Sequence, residues 1–382
     1  MFCIHRIYVD VVINHMAGLG RSGTGSGGSN FNSDNYEFPG VPYSQADFNP
    51  YCSLNNYGDP DEVRNCYLVD LTDLNQGKDY VREKIAGFLN KMIDIGVAGF
   101  RVDAAKHMWP ADIEAIESRL NDVPSGGRPY FYQEVIDQGG EPIHTSEYTP
   151  MGYVTEFRYC IKLNEGIQDF GRLGQVVDYD WGMTDSDHAF VFVDNHDNQR
   201  GHGGGGNILT HENPHDYKLA VAFMLANDYG FARVMISYSF GSSDEGPPHN
   251  GDDSTKDVPI NSDGSCGDGW VCEHRWSSIA NMVAFRNAVV GTSKENYYQE
   301  GEEIAFSRGN KGFFAMTKSG HMDKTLQTGL PAGEYCDLIT DCAKKITVDG
   351  NGMAHIVIDS DDNPILAFIV GKIADFELKV RH

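Results

Sequence analysis

Three acidic residues stand where strands are expected to end, and each could do acid–base or nucleophilic chemistry. Asp103 and Glu134 each close a short, mostly apolar run, and Asp197 follows a third such run closely. In parallel α/β folds the reactive groups lie at the carboxyl ends of the strands. Two carboxylates are the minimum for cleaving a glycosidic bond, and a third can bind the sugar and stabilise positive charge. The three acids therefore predict sugar hydrolysis at one strand edge.

Arg101 and Asp103 give the strongest local indication, because period-two alternation puts both side chains on one strand face. A charge on a strand buried between helices is tolerated only when it is paired or has a function. A purely structural Arg–Asp pair is the alternative here, and an ordinary loop carboxylate is the alternative for Glu134. Asp197 lies in the stretch 194–200, where hydrogen-bonding side chains are dense directly after an apolar strand. That density favours a function for Asp197.

The charge balance of the chain argues against several classes of partner. The 382 residues include 30 Lys and Arg against 55 Asp and Glu, which gives a net charge of −25. This charge disfavours nucleic acid and anionic membrane surfaces as partners. No run of 18 apolar residues occurs, so no membrane span is predicted. A neutral sugar suits the composition better.

Cysteine spacing indicates an oxidising compartment. Six of the eight cysteines fall into close pairs without CxxC spacing or a histidine cluster, so disulfides are favoured over zinc. The predicted pairs are Cys52–Cys66, Cys266–Cys272 and Cys336–Cys342. Cys3 and Cys160 have no obvious partner. Residues 1–6 do not resemble the signal peptide of a secreted protein, so we expect that the N-terminal part is missing.

Strand–helix alternation predicts a parallel α/β arrangement followed by an all-β region. Predicted strands are 7–13, 99–103, 130–134, 153–157, 189–193 and 233–237. Predicted helices are 78–95, 110–121, about 160–170, 216–227 and 274–290, the first with an apolar stripe at Val81, Ile85, Phe88, Met92 and Ile95. The predicted domains are 1–13 with 74–290, an inserted turn-rich subdomain 14–73, and a C-terminal antiparallel β domain 291–382.

Four blocks of the sequence carry a family resemblance. Residues 10–15, 99–107, 133–137 and 192–197 resemble, in order, the signature blocks of the α-amylases of glycoside hydrolase family 13, most closely the secreted animal enzymes. The resemblance implies a (β/α)₈ TIM barrel, incomplete here because the first two strand–helix units are missing. It also implies retaining endo-hydrolysis of α-1,4-glucosidic bonds in starch, glycogen and malto-oligosaccharides by a secreted monomer.

The resemblance also assigns roles to single residues. Asp103 would be the nucleophile, Glu134 the proton donor and then the base, and Asp197 would bind the distorted sugar. Further substrate contacts would come from His15, Lys106, His196 and His202. Calcium would be held by side-chain oxygens of Asn14 and Asp73 and by carbonyls of Arg64 and His107. Chloride would bind at Arg101, Asn195 and Arg233, where an anion would disfavour the ionised form of Glu134.

Several alternatives stay open at this point. Arg101 and Arg233 could pair with acidic side chains alone, without chloride. The chain could be an α-glucosidase of the same clan, or a truncated relative that binds glucans without cutting them. The glycine-rich stretch 201–206 resembles a mobile loop at the substrate cleft. Phosphate binding there is rejected because no Lys-Ser or Lys-Thr pair follows.

Overall fold

The computed structural model describes residues 6–177 and 179–371. The chain divides into two compact units, one comprising residues 1–156 and 184–190 and the other residues 157–183 and 191–382. The predicted domain boundaries at 13/14, 73/74 and 290/291 stay predictions. Cys3 lies outside the described residues.

The described residues form six α-helices and eighteen strands, connected by turns and short 3₁₀ segments. The helices are α1 (Pro60–Asn65), α2 (Asp79–Ile95), α3 (Pro110–Glu117), α4 (Phe157–Gln168), α5 (Pro214–Ala226) and α6 (Ser277–Val289). The strands of the first half are β1 (Tyr8–Val11), β2 (His15–Gly18), β3 (Ser22–Thr24), β4 (Asn30–Asn32), β5 (Leu71–Asp73), β6 (Gly99–Val102), β7 (Tyr130–Gln133), β8 (Tyr153–Thr155) and β9 (Ala189–Val191). The remaining strands are β10 (Phe231–Ala232), β11 (Lys294–Glu300), β12 (Glu303–Arg308), β13 (Gly312–Thr317), β14 (His321–Gln327), β15 (Gly333–Cys336), β16 (Lys345–Val348), β17 (Met353–Asp359) and β18 (Ile365–Ile369).

A parallel sheet organises the first unit, with neighbouring strands in the order β1, β6, β7, β8 and β9. All four residues of β6 are buried. Gly99 permits the approach of β6 to β7, because a Cβ there would lie 2.3 Å from the carbonyl oxygen of Tyr130. This close pairing brings the carboxyl ends of β6 and β7 to the same edge of the sheet. The predicted catalytic residues Asp103 and Glu134 come directly after these two strands.

The buried face of helix α2 overlaps the predicted one in part: Val81 and Ile85 are buried as predicted, and Met92 packs against the core. Val81, Ile85, Leu89 and Ile93 are buried, whereas Phe88 and Ile95 of the predicted stripe are exposed. The predicted apolar residues and the observed buried residues both fit a helical period, so the position of the sheet determines which set is buried. The helix ends at Gly96, which adopts a left-handed conformation with φ of 115°.

The second unit contains the helices α4, α5 and α6 and two antiparallel sheets. The sheets have the strand orders β11-β12-β13-β18 and β14-β17-β16-β15. The sequence pattern predicts strands here at 303–307, 312–317, 334–339, 345–348, 354–358 and 365–370. It misses β11 and β14, since both are edge strands with polar, weakly alternating sequences. The cores of both sheets contain large apolar side chains such as Phe313, Ile356 and Phe368.

The predicted strand 233–237 is wrong. In the structure the strand at this point is the two-residue β10, after which the backbone N–H of Arg233 bonds the carbonyl of Val191 at 2.9 Å. The backbone N–H of Ser237 donates to the carboxylate of Glu273 (2.8 Å) and not to a neighbouring strand. The apolar run Val234–Ile236 had suggested a longer strand than the backbone hydrogen bonds allow.

The three predicted disulfides are present in the structure. They join Cys52 to Cys66 in the first unit, and Cys266 to Cys272 and Cys336 to Cys342 in the second. Cys160 is buried on α4, with its Sγ 3.0 Å from the carbonyl oxygen of Phe157. Among the helices of the described ranges, none has the length and apolar character needed to cross a bilayer.

Candidate active site

Sheet register brings the polar side chains of the first unit together. Asp10 on β1 lies directly opposite Arg101 on β6, so both side chains leave the same face. Asp103 follows two residues later on that face. The N–H of Glu134 bonds the carbonyl of Val102 (2.9 Å), which continues the pairing of β6 with β7 past the last strand residue. The two predicted catalytic acids of this unit therefore start from adjacent strand ends.

The guanidinium of Arg101 connects three carboxylates. Its Nη1 lies 2.8 Å from Asp10 Oδ1 and 2.9 Å from Asp103 Oδ1, and its Nη2 lies 2.7 Å from Glu134 Oε1. Burial lowers the pKa of Arg101, but Glu134, Asp10 and Asp103 outweigh that effect and raise it above its usual range. Arg101 is thus a permanent cation, and it orients both predicted catalytic acids.

Glu134 and Asp103 differ in their environment. Glu134 Oε2 accepts the backbone N–H of Ala104 at 2.9 Å, so both of its oxygens are held. The side chain of Glu134 is 9% exposed, against 22% for Asp103. Ala104 adopts φ of 48°, an uncommon conformation for a residue with a side chain. The geometry therefore offers one fixed, enclosed carboxyl group at Glu134 and one more accessible carboxyl group at Asp103.

Two predicted substrate contacts lie in the same unit. Burial lowers the pKa of His15, although the nearby Asp103 acts in the opposite direction. Lys106 Nζ donates to the carbonyl of Ile136 (2.8 Å) and to Glu141. Lys106 is also within cation–π distance of an aromatic ring of the 14–73 segment, that of Tyr57, at 5.2 Å. Its ammonium group is thus held in place from three sides.

The predicted calcium residues also belong to the first unit. Strand pairing puts His15 opposite Asp73, next to Asn14. Asn14 Oδ1 is buried and has no hydrogen-bond partner within the described ranges. Burial raises the pKa of Asp73 to about 7, although Asn49 and Asn14 donate hydrogen bonds to it. An unpartnered oxygen beside a buried carboxylate fits a hard cation with oxygen ligands.

Arg64 and His107, the remaining predicted ligands, also belong to the first unit. The ring Nδ1 of His107 is 3.0 Å from the carbonyl oxygen of Val63, the neighbour of Arg64. The Arg64 side chain is buried against Tyr148 and Glu147. In the part of the chain that the structure describes, no three His, Cys, Asp or Glu side chains form a metal cluster. The proposed ligand set would accordingly combine one carboxylate, that of Asp73, with amide and carbonyl oxygens.

Asp197 lies in the second unit, on a turn that is closed by two asparagines. Asn195 Oδ1 accepts the N–H groups of Asp197 (3.0 Å) and Asn198 (2.7 Å), and Asn198 Oδ1 accepts the N–H of Asn195 (2.7 Å). The Asp197 side chain is 35% exposed and its Oδ2 lies 3.2 Å from His196 Nε2. The turn thus presents a carboxylate and a histidine side by side. Convergence of Asp197 with Asp103 and Glu134 stays a prediction.

The other predicted residues of the second unit surround this turn. Arg233 Nη2 donates to the carbonyl of Asp194 at 3.2 Å, and its guanidinium lies over the ring of Phe192. The N–H of His202 bonds the carbonyl of Asp197 (3.0 Å). Arg233 therefore bonds the residue that precedes Asn195.

Sequence analysis missed several residues of both sites. Asp10 was quoted within a signature block without a role, although its place opposite Arg101 makes it a partner of that cation. Glu141 and Tyr57 hold Lys106, and no local pattern distinguishes them from solvated loop residues. A search for acidic residues opposite Arg101 on a neighbouring strand could have found Asp10.

Several known proteins are similar to this chain in sequence or structure, although no protein-family model matches it. An α-amylase of Pecten maximus is 51% identical over 392 residues, which cover 96% of this chain and 77% of the relative. A pancreatic α-amylase of Struthio camelus is 48% identical and covers 96% of this chain and 81% of its own length. The structure of a variant of α-amylase I from Eisenia fetida in complex with maltohexaose matches with a TM-score of 0.89 and 42% identity, covering 96% of this chain and 81% of that one. An α-amylase of Malbranchea cinnamomea (TM-score 0.59, 18% identity) shares the fold.

The fold and these relatives define a glycoside hydrolase with an α/β-barrel fold. The antiparallel sheets are formed by the C-terminal part of the chain. The relatives match about half of the residues over nearly the whole chain. The chain belongs to the α-amylase family. The resemblance carried by the four sequence blocks, and the predicted fold class, are confirmed.

Gly203 offers a test of the turn that carries Asp197. A Cβ at this glycine would lie 3.0 Å from Asp197 Cβ, and Gly203 has φ of 33°. We expect Gly203→Ala to lower kcat on soluble starch by about tenfold or more, because a small displacement of a catalytic group is costly. Gly201→Ala is the control, since it has a positive φ of 80° but no atom within 4 Å of its Cβ. Equal kcat values for the two variants would contradict the close approach.

Proposed function

We propose that the endo-hydrolysis of α-1,4-glucosidic bonds in starch proceeds here by double displacement. Asp103 attacks the anomeric carbon, and Glu134 gives a proton to the leaving oxygen. Glu134 then takes a proton from the water that releases the glycosyl group from Asp103. The observation that supports this most directly is the Arg101 guanidinium, which holds both carboxyl groups at adjacent strand ends.

Asp197 completes the proposal from the second unit. A carboxylate beside an oxocarbenium-like transition state stabilises its positive charge and can bind hydroxyl groups of the distorted sugar. The partial exposure of Asp197 and its neighbour His196 suits contact with a sugar. His15, Lys106 and His202 are proposed as further substrate contacts.

The substrates, location and assembly extend the proposal. The Eisenia fetida structure contains maltohexaose, and we propose malto-oligosaccharides, starch and glycogen as substrates of this chain. Three disulfides support a secreted protein. The net charge of −25 supports neutral glucans over nucleic acid or anionic membranes. We propose that the chain acts as a monomer.

Calcium is proposed at Asn14 and Asp73, with carbonyls of Arg64 and His107. Bound there, the ion supplies a positive charge that offsets the buried carboxylate of Asp73 and joins the segment 14–73 to the loop after β6. The unpartnered Asn14 Oδ1 and the raised pKa of Asp73 support this assignment. The catalytic steps do not involve the ion.

Chloride is proposed at Arg101, Asn195 and Arg233. Arg101 pairs with three carboxylates, so charge balance alone does not require an anion. The argument comes from Glu134, because its ion pair with Arg101 favours the ionised carboxylate whereas a proton donor must be protonated. A bound anion supplies negative charge that offsets this effect.

The catalytic assignment predicts the effects of three substitutions. Asp103→Asn and Glu134→Gln remove the nucleophile and the proton donor while conserving shape, so each should lower kcat on starch by about 10³-fold or more. Asp197→Asn should lower kcat strongly with retained binding of malto-oligosaccharides. Product analysis distinguishes the alternatives: glucose from maltose indicates an α-glucosidase, and binding without cleavage by the unmodified chain indicates a glucan-binding protein. Full activity of Asp103→Asn or Glu134→Gln would refute the assignment.

The calcium assignment predicts a loss of thermal stability on chelation. Treatment with a calcium chelator should lower Tm by several degrees, and added calcium should restore it, because binding to the folded state alone stabilises that state. Asp73→Asn should have a lowered response to calcium. Asp70→Asn, a change at an exposed neighbour, is the control and should respond like the unmodified chain. An unchanged Tm under chelation would contradict the assignment.

The chloride assignment predicts an anion-specific pH profile. At constant ionic strength, replacing chloride by a large organic anion should move the alkaline limb of the kcat profile to lower pH. The sign follows because chloride raises the pKa of the proton donor, and its loss lets Glu134 ionise at lower pH. Arg233→Ala should give the same profile in both salts. A chloride-independent profile of the unmodified chain would favour pairing of the arginines with acids alone.

A further inference from the structure

The turn that carries Asp197 is attached to the second unit through Asp194. The hydroxyl of Tyr217 donates to Asp194 Oδ1 at 2.7 Å. The carbonyl of Asp194 accepts from Arg233 Nη2 at 3.2 Å. Asn195, the next residue, accepts the N–H of Asp197. Two hydrogen bonds, joined by the peptide bond between Asp194 and Asn195, therefore connect the Tyr217 hydroxyl to the backbone of Asp197.

Tyr217 is a rigid anchor for this chain of contacts. It lies on α5, where its side chain is fully buried. Its ring packs edge-on against Trp276 at a centroid distance of 6.1 Å. A buried aromatic side chain has little rotational freedom, so the position of its hydroxyl is set by the packing of α5 and not by solvent.

Because Asp194 is buried, its carboxyl group depends on the hydrogen bond from the Tyr217 hydroxyl more than an exposed carboxylate would depend on such a bond. Asp194 is 1% exposed, and its Oδ2 has no hydrogen-bond partner among the described residues. Burial raises the pKa of Asp194 to about 7, and Glu273 acts in the same direction, while Tyr217 and Arg233 oppose them. Without the hydroxyl of Tyr217, this buried carboxyl group would lose a hydrogen-bond donor and be left unsatisfied, which favours rearrangement of the turn.

We propose that Tyr217 is a positioning residue for the reaction, acting through Asp194 to hold the turn that presents Asp197. The inference rests on the proposed role of Asp197 in binding the distorted sugar. Tyr217 does not contact the sugar in this proposal. Its effect is on how closely Asp197 fits the transition state, and therefore on kcat more than on KM.

The test compares Tyr217→Phe with a matched variant. Tyr217→Phe removes only the hydroxyl and keeps the buried ring, so we expect kcat on maltoheptaose to fall about tenfold or more with KM changed less than about threefold. Tyr298→Phe is the control, because it removes a hydroxyl that bonds Glu300 (2.8 Å) and Glu303 (3.0 Å) within the antiparallel region. Tyr298→Phe should keep the kcat of the unmodified chain, and thermal melting of both variants reports the purely structural cost.

Two further variants make the outcome decisive. Asp194→Leu removes the acceptor and should lower kcat like Tyr217→Phe, and the double variant should be no worse than Asp194→Leu, because both changes break the same contact. Unchanged kcat in Tyr217→Phe, or losses that multiply in the double variant, would overturn the inference. Asp197→Asn is measured alongside. If it retains full kcat, the proposed role of Asp197 fails; if it is inactive while Tyr217→Phe is normal, only the positioning role fails.

Discussion

A single buried guanidinium orders the acidic groups at the edge of the parallel sheet. Arg101 is 4% exposed and contacts three carboxylates from adjacent strands. Breaking a buried ion pair by removing one partner costs about 3–5 kcal/mol in proteins, and of the three carboxylates Glu134 is the most buried, with 9% of its side chain exposed. The carboxylates and the cation therefore depend on each other, and the reactive geometry of Asp103 and Glu134 follows from their shared partner.

The second unit holds its carboxylate by a different physical means. Asp197 sits on a turn closed by neutral amide side chains, and beneath the turn the buried Asp194 bonds the phenol of Tyr217. The amide oxygens of Asn195 and Asn198 accept backbone N–H groups of the turn, and the phenol of Tyr217 donates to Asp194. Arg233 adds a hydrogen bond from a charged group to the carbonyl of Asp194. The carboxylates of the first unit are thus held mainly by an ion pair, and the turn of the second unit mainly by hydrogen bonds.

Backbone packing makes both arrangements possible. Gly99 lets β6 approach β7 closely, because any side chain there would meet the backbone of Tyr130. In the second unit Tyr217 on α5 is fully buried, and its ring packs against Trp276, the residue before α6. Polar groups at both sites therefore rest on rigid, apolar surroundings, where hydrogen bonds and ion pairs are stronger than in water.

Much of the candidate site could be predicted from the sequence. Period-two alternation put Arg101 and Asp103 on one face, and the structure joins them at 2.9 Å. Cysteine spacing predicted the three disulfides. These features follow from local geometry, since strand alternation and short loop closure involve neighbours in the chain.

Only the tertiary structure decided which distant residues meet. The register of β1 with β6 made Asp10 a partner of Arg101, and α5 brought Tyr217 to Asp194. Part of the buried face of α2 and the short β10 also differed from the sequence pattern, because packing and backbone hydrogen bonds overrode local periodicity. Local patterns determine what a residue can do in its own element, whereas contacts between elements depend on how the whole chain packs.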